Sequence, residues 1–195
     1  MRIIGITGGV GSGKSRVLAF LKSEYEAFVC QADHVAWQLQ RPGAVCYKRI
    51  VQTFGTDILC EDGNIDRARL GAIVFSDKHK LHALNEIMHP EVKRCIREEI
   101  ALQTLNGVKL FVLEAALLLE EHYDEICDEL WYIYTDDVTR RIRLKTDRAY
   151  TDEKIDAIMT SQVSDEAFRK GCQRVIDNSG AFDETCAQIR SILSN

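Results

Sequence analysis

Residues 8–15 read Gly-Gly-Val-Gly-Ser-Gly-Lys-Ser, a G-x-x-x-x-G-K-[ST] pattern that directly follows the apolar run Ile3 to Thr7 and directly precedes a helical pattern from Lys14. Glycines let a backbone turn successive N–H groups inward and touch an anion, and a helix starting near Lys14 adds the positive end of its dipole. The pattern therefore predicts a strand, a phosphate-gripping loop and a helix. Gly9, Val10, Gly11, Ser12 and Gly13 wrap the phosphates, Lys14 bridges the outer ones as a point charge, and the Ser15 hydroxyl ligates Mg2+.

The rest of the chain repeats that alternation. Short apolar runs recur at Phe28 to Cys30, Leu110 to Leu113, Leu130 to Tyr134 and Arg174 to Ile176, and helical patterns such as Lys14 to Ser23 and Pro90 to Leu105 lie between them. Strands alternating with helices imply right-handed crossovers and a parallel sheet covered on both faces, a doubly wound α/β fold. Two regions break the rhythm. Gly43 to Leu105 is almost wholly helical in pattern, with turn signals at Gly55 and Asp62-Gly63-Asn64, and reads as a helical insertion. Arg140 to Arg169 reads as an arginine-rich helix, a turn at Ala149-Tyr150-Thr151 and a second helix whose apolar stripe, Ile155, Ile158 and Met159, also carries Gln162. The expected organisation is a single domain over 1–195. Its core spans about 1–42, 106–135 and 171–195, the insertion about 43–105, and a lid about 136–170.

Composition narrows the partners. In 195 residues, 25 Lys and Arg face 30 Asp and Glu, a formal charge of −5 that argues against coating a nucleic acid or an anionic membrane. The longest apolar segment, around Leu110 to Leu119, is broken by Glu114 and is too short to span a bilayer. Seven scattered cysteines without a Cys-x-x-Cys pair read as reduced thiols in a cytosol, and Met1-Arg2-Ile3-Ile4-Gly5 leads straight into the motif without the pattern of a leader. His79 and His82 lack a neighbouring ligand cluster, so no structural metal site is expected. No Asn-Lys pair exists to read guanine, and the chain is short for a mechanical ATPase. A small-molecule phosphotransferase is the leading class.

Five segments, in order, resemble the dephospho-coenzyme A kinase family. These are Ile6 to Ser15, Gln31-Ala32-Asp33, His89-Pro90, Glu114-Ala115-Ala116-Leu117-Leu118-Leu119-Glu120 and Val175-Ile176-Asp177-Asn178-Ser179-Gly180. The resemblance implies a three-layer P-loop fold with a five-stranded parallel sheet, a helical acceptor-binding insertion and an arginine lid. It implies transfer of the ATP γ-phosphoryl group to the ribose 3′-hydroxyl of dephospho-CoA, with Mg2+; no nucleic acid, membrane or stable protein partner is expected. On it Asp33, which could otherwise cap the following helix, is the base and an acceptor contact. Arg148 is the catalytic lid cation, also touching nucleotide, while Asn178 lies near the adenine. His89, Arg143, Gln162 and Arg169 contact the acceptor, and Glu114 joins Ser15 around Mg2+, directly or through water. Pro90 is expected at the first turn of its helix.

Overall fold

The apolar runs form the strands β1 (Arg2–Thr7), β2 (Phe28–Gln31), β3 (Leu110–Glu114), β4 (Glu129–Tyr134) and β5 (Arg174–Asp177) of one parallel sheet, ordered β2-β3-β1-β4-β5. The computed structural model describes residues 1–194, and Asn195, the last residue of the expected core span, lies outside them. β1 is central, pairing Ile6 with Glu114 of β3 and Thr7 with Tyr132 of β4. Because every strand points the same way, the segments after Thr7, Leu113, Tyr134 and Ile176 leave at one carboxyl edge, where open α/β sheets bind ligands.

Two units divide the chain. The first comprises Met1–Val29 and Gln103 onward. It carries the helices α1 (Lys14–Tyr25), α6 (Asp137–Arg148), α7 (Asp152–Ser161), α8 (Asp165–Gly171) and α9 (Phe182–Leu193). Its core lies under α1 and α9, where Val17, Leu21 and Ile189 meet Ile4, Ile6, Trp131 and Ile133, all fully buried. Burial of the inner strands β1, β3 and β4 on both faces explains why their runs read as continuous apolar stretches rather than alternating ones.

The second unit, Cys30–Leu102, holds α2 (Ala32–Leu39), α3 (Val45–Phe54), α4 (Arg67–Phe75) and nearly all of α5 (Lys78–Leu105). The expected turn at Asp62-Gly63-Asn64 is present, closed by a bridge between Leu59 and Ile65. Pro90 needs correcting. It sits inside α5, not at its start, which is set twelve residues earlier where the Asp77 carboxylate accepts from the His79 N–H at 2.8 Å. Proline removes one donor and crowds the preceding turn, but Pro90 is on the exposed side, while Ile87, Met88, Val92 and Ile96 bury a continuous stripe that holds the helix together. Among the described residues no helix is long and apolar enough to cross a membrane.

Five cysteines are buried, Cys95 is half-buried and Cys60 is exposed. Burial pushes the Cys30 and Cys127 thiols up to about 12 and those of Cys46 and Cys172 to about 11. At pH 8 the folded protein is therefore expected to release one rapid equivalent with an aromatic disulfide reagent, from Cys60, and the remaining thiols only on unfolding. Phe111 is fully buried in β3 and stacked on Phe28 at 5.4 Å; Phe111→Ala should cost about 3–5 kcal/mol in denaturant unfolding.

Candidate active site

The loop after β1 has the conformation its glycines permit. Gly13 has φ +81°, and a Cβ there would lie 2.3 Å from Asn178 Nδ2, so no side chain fits. At Gly9 the obstacle is a guanidinium: a Cβ would sit 2.4 Å from Arg140 Nη2. Lys14, at the start of α1, folds back over the loop and donates to the Gly8 carbonyl at 2.6 Å and the Gly9 carbonyl at 3.4 Å. Ser15 is exposed one residue on. Ser12 is buried beneath the loop, and its carbonyl accepts from Asn178 Nδ2 at 2.7 Å and from the Thr135 hydroxyl at 3.0 Å. Asn178 is itself held at both ends: its N–H donates to Tyr134, and its side-chain oxygen accepts from Thr185 at 3.0 Å.

The arginine-rich helix α6 lies over this loop and sorts its cations by direction. Arg141 pairs with Asp156 and Lys145 with Asp152 on α7, an exposed arrangement that ties the two helices together. Arg140 and Arg143, three apart and thus on one face, turn to the loop. Arg140 Nε donates to the Val10 carbonyl at 3.2 Å, and its Nη2 donates to Gln162 Oε1 at 2.6 Å. Arg143 donates to the Asn178 carbonyl at 2.8 Å and to Thr135 Oγ1 at 3.3 Å.

A cavity of about 520 Å³ opens between the loop and α6, lined by Lys14, Ser15, Glu114, Arg143, Arg148 and Asn178 together with the loop glycines and Val10. Most of the residues expected at the nucleotide thus converge. Arg148 also hydrogen-bonds Tyr150, holding that phenol below its usual range. Among the described residues no three His, Cys, Asp or Glu side chains cluster to hold a metal. A hydroxyl and a carboxylate at the mouth of a phosphate loop are nonetheless hard oxygen donors of the kind Mg2+ uses when it arrives on a nucleotide and keeps its waters.

Four expected residues stand elsewhere. Gln162 does not continue the α7 stripe, because that helix ends at Ser161 and Gln162 is its extended C-cap. This turns its amide to Arg140 and into a neighbouring cavity of about 390 Å³. Arg169 is exposed on α8, paired with Asp165 at 2.7 Å and lying over the Tyr134 ring. His89 is half-buried within α5 of the second unit. Asp33 occupies the first turn of α2 in that unit, exposed, and the helix is capped one residue before Ala32 by Gln31 without a side-chain bond. Asp33 is therefore not the cap. Arg16, Asp147 and Arg140 were not singled out from the sequence, although Arg140 shares the helical face of Arg143, a spacing that would have revealed it.

The sequence profile of dephospho-CoA kinase matches residues 2–184. The chain belongs to the dephospho-CoA kinase family. It is 40% identical over 191 residues to the dephospho-CoA kinase of Carboxydothermus hydrogenoformans, covering 98% of this chain and 92% of that one. The crystal structure of TT1252 from Thermus thermophilus superposes with a TM-score of 0.82 at 28% identity, over 99% of this chain and 96% of the other. The dephospho-CoA kinase from Campylobacter jejuni shares the fold with a TM-score of 0.72 at 24% identity, 98% of each chain being covered.

The family's loop thus rests here on a buried amide. Asn178→Ala would leave the Ser12 carbonyl with one donor fewer and the Thr185 hydroxyl without an acceptor it now uses, a loss of about 1–3 kcal/mol in denaturant unfolding. The loosened loop should also raise KM for ATP several-fold in steady-state kinetics.

Proposed function

We propose that this protein transfers the γ-phosphoryl group of ATP to the ribose 3′-hydroxyl of dephospho-CoA, yielding coenzyme A and ADP in the cytoplasm. Family membership over residues 2–184 is the observation that carries the reaction and its acceptor. The residue roles rest on the site. Lys14 exchanges its loop carbonyls for the β- and γ-phosphate oxygens, joined by the N–H groups at the start of α1. Ser15 and Glu114 would hold Mg2+, which when bound neutralises charge on the β- and γ-phosphates.

The acceptor oxygen attacks γ-phosphorus while the bond to the β,γ-bridging oxygen breaks and ADP departs. The hydroxyl proton goes to Asp33, whose carboxylate is exposed and is not consumed in capping its helix. Arg148, which lines the cavity together with Arg143, meets the charge that spreads over the γ-oxygens. Arg143 also braces Asn178, and Asn178 shapes the loop as well as lining the nucleotide cavity. Gln162 acts through Arg140, orienting that guanidinium on the Val10 carbonyl. His89 and Arg169 are offered as acceptor contacts.

ATP and dephospho-CoA supplied together should give a product heavier by one phosphoryl group, with the phosphate on the 3′-oxygen. No turnover, or preference for adenosine or a nucleoside monophosphate, would overturn the assignment. Asp33→Asn should lower kcat by about 10²–10⁴-fold with KM for ATP little changed, since it removes the proton acceptor and not a nucleotide contact. Full activity in that variant would remove Asp33 from the mechanism.

A further inference from the structure

The second unit has a cavity of its own, about 200 Å³, lined by Trp37, Gln40, Arg41, Asn64, Ile65 and Arg67. Its charge is unbalanced. The guanidinium carbons of Arg41 and Arg67 lie 5.2 Å and 5.8 Å from the Trp37 ring centroid, so two cations converge on one indole that is 38% exposed. Among the described residues neither is paired with a carboxylate. The adjacent Asp66 is committed to Arg69 at 3.2 Å and to capping α4 through the Ala68 and Arg69 N–H groups, and Asp62 is bonded to Asn64. Two guanidiniums held together against an aromatic face without an anion repel each other, and their forks match phosphate oxygens.

Position along the helix says what the anion belongs to. Trp37 follows Asp33 by four residues on α2, which puts the two side chains on one helical face, about one 5.4 Å turn apart. A ribose 3′-hydroxyl and the 5′-phosphate of the same nucleotide are separated by the width of one sugar, a comparable span. We infer that Arg41 and Arg67, supported on Trp37, form the subsite that grips the diphosphate of dephospho-CoA while its 3′-hydroxyl lies at Asp33. This rests on the proposed reaction. It makes the diphosphate a determinant of acceptor choice: an acceptor without it forfeits both arginines.

The test uses the full chain without ATP. Trp37 is the partly exposed one of two tryptophans, Trp131 being fully buried, so its emission should change saturably on titration with dephospho-CoA or inorganic pyrophosphate and stay silent in Trp37→Phe. Arg41→Ala and Arg67→Ala should each weaken dephospho-CoA about tenfold or more, and the pair about a hundredfold. KM for dephospho-CoA should rise in proportion. Any affinity of the phosphate loop for pyrophosphate is common to both chains and drops out of the comparison. KM for ATP serves as the check on folding, and Arg41→Lys with Arg67→Lys should recover part of the affinity if charge is what matters. A double Ala variant that binds dephospho-CoA and pyrophosphate as wild type does would overturn the inference, as would one that loses dephospho-CoA but keeps the wild-type response to pyrophosphate. Wild type that phosphorylates dephospho-CoA with such an unaffected variant leaves the reaction standing and removes the subsite; wild type without that activity removes the reaction itself.

Discussion

The carbonyl of Ser12 accepts two hydrogen bonds, from the Asn178 amide and the Thr135 hydroxyl, and the nucleotide site depends on them. A glycine-rich loop is conformationally free, and that freedom must be removed before its N–H groups can converge on an anion. Here the restraints come from the ends of three strands: β1 leads into the loop, β4 ends beside Thr135 and β5 beside Asn178. Thr185 of α9 holds the far side of Asn178, so the restraint continues into the helix that covers the core. Among the described residues, Thr7 Oγ1 just before this loop and Ser12 Oγ within it are buried without a partner. Unsatisfied groups gathered at one place fit a site kept in readiness for a ligand.

Electrostatics follows the same economy of position. A chain of net charge −5 concentrates guanidiniums where anions arrive and neutralises the others locally. On α6, Arg141 and Lys145 are balanced by Asp156 and Asp152, whereas Arg140 and Arg143 reach the loop. Helical periodicity makes that division: residues 140 and 143 share a face, 141 and 145 share another, and the second face meets α7. In the second unit Arg69 is neutralised by Asp66, and Arg41 and Arg67 remain beside Trp37. Ion pairs of the exposed kind contribute little stability, so their main effect is to decide which cations stay available.

The inner strands β1, β3 and β4 were legible as apolar runs because parallel strands buried on both faces leave no alternating pattern to misread, and the edge strands β2 and β5 are shorter runs, only partly buried. The loop was legible because its glycines and Lys14 carry their purpose in their chemistry. Pro90 misled because a start signal and a tolerated interior proline look alike along the chain; burial of Ile87 to Ile96 settles which applies. Gln162 misled for a related reason. Its spacing from Ile155 suits a helix, but α7 stops one residue earlier, and the extended cap sends the amide to Arg140 instead. Arg140 was read only as part of the arginine-rich helix because a run of five cations in nine residues does not say which of them faces inward.

Sequence by itself determined the α/β alternation, the phosphate loop and the family, since each rests on residue types at short spacings whose physics is local. Tertiary structure alone decided that Asn178 and Thr135, 166 and 123 residues from Ser12, share its carbonyl. It also decided that Arg140 and not Arg141 meets the loop, and that two arginines 26 positions apart, at 41 and 67, converge on one tryptophan. The reason is the reach of the interactions. Glycine freedom, helix periodicity and strand burial act within a few residues, whereas a hydrogen bond or a guanidinium contact acts over a few ångströms, and only the folded chain turns a long sequence separation into so short a distance.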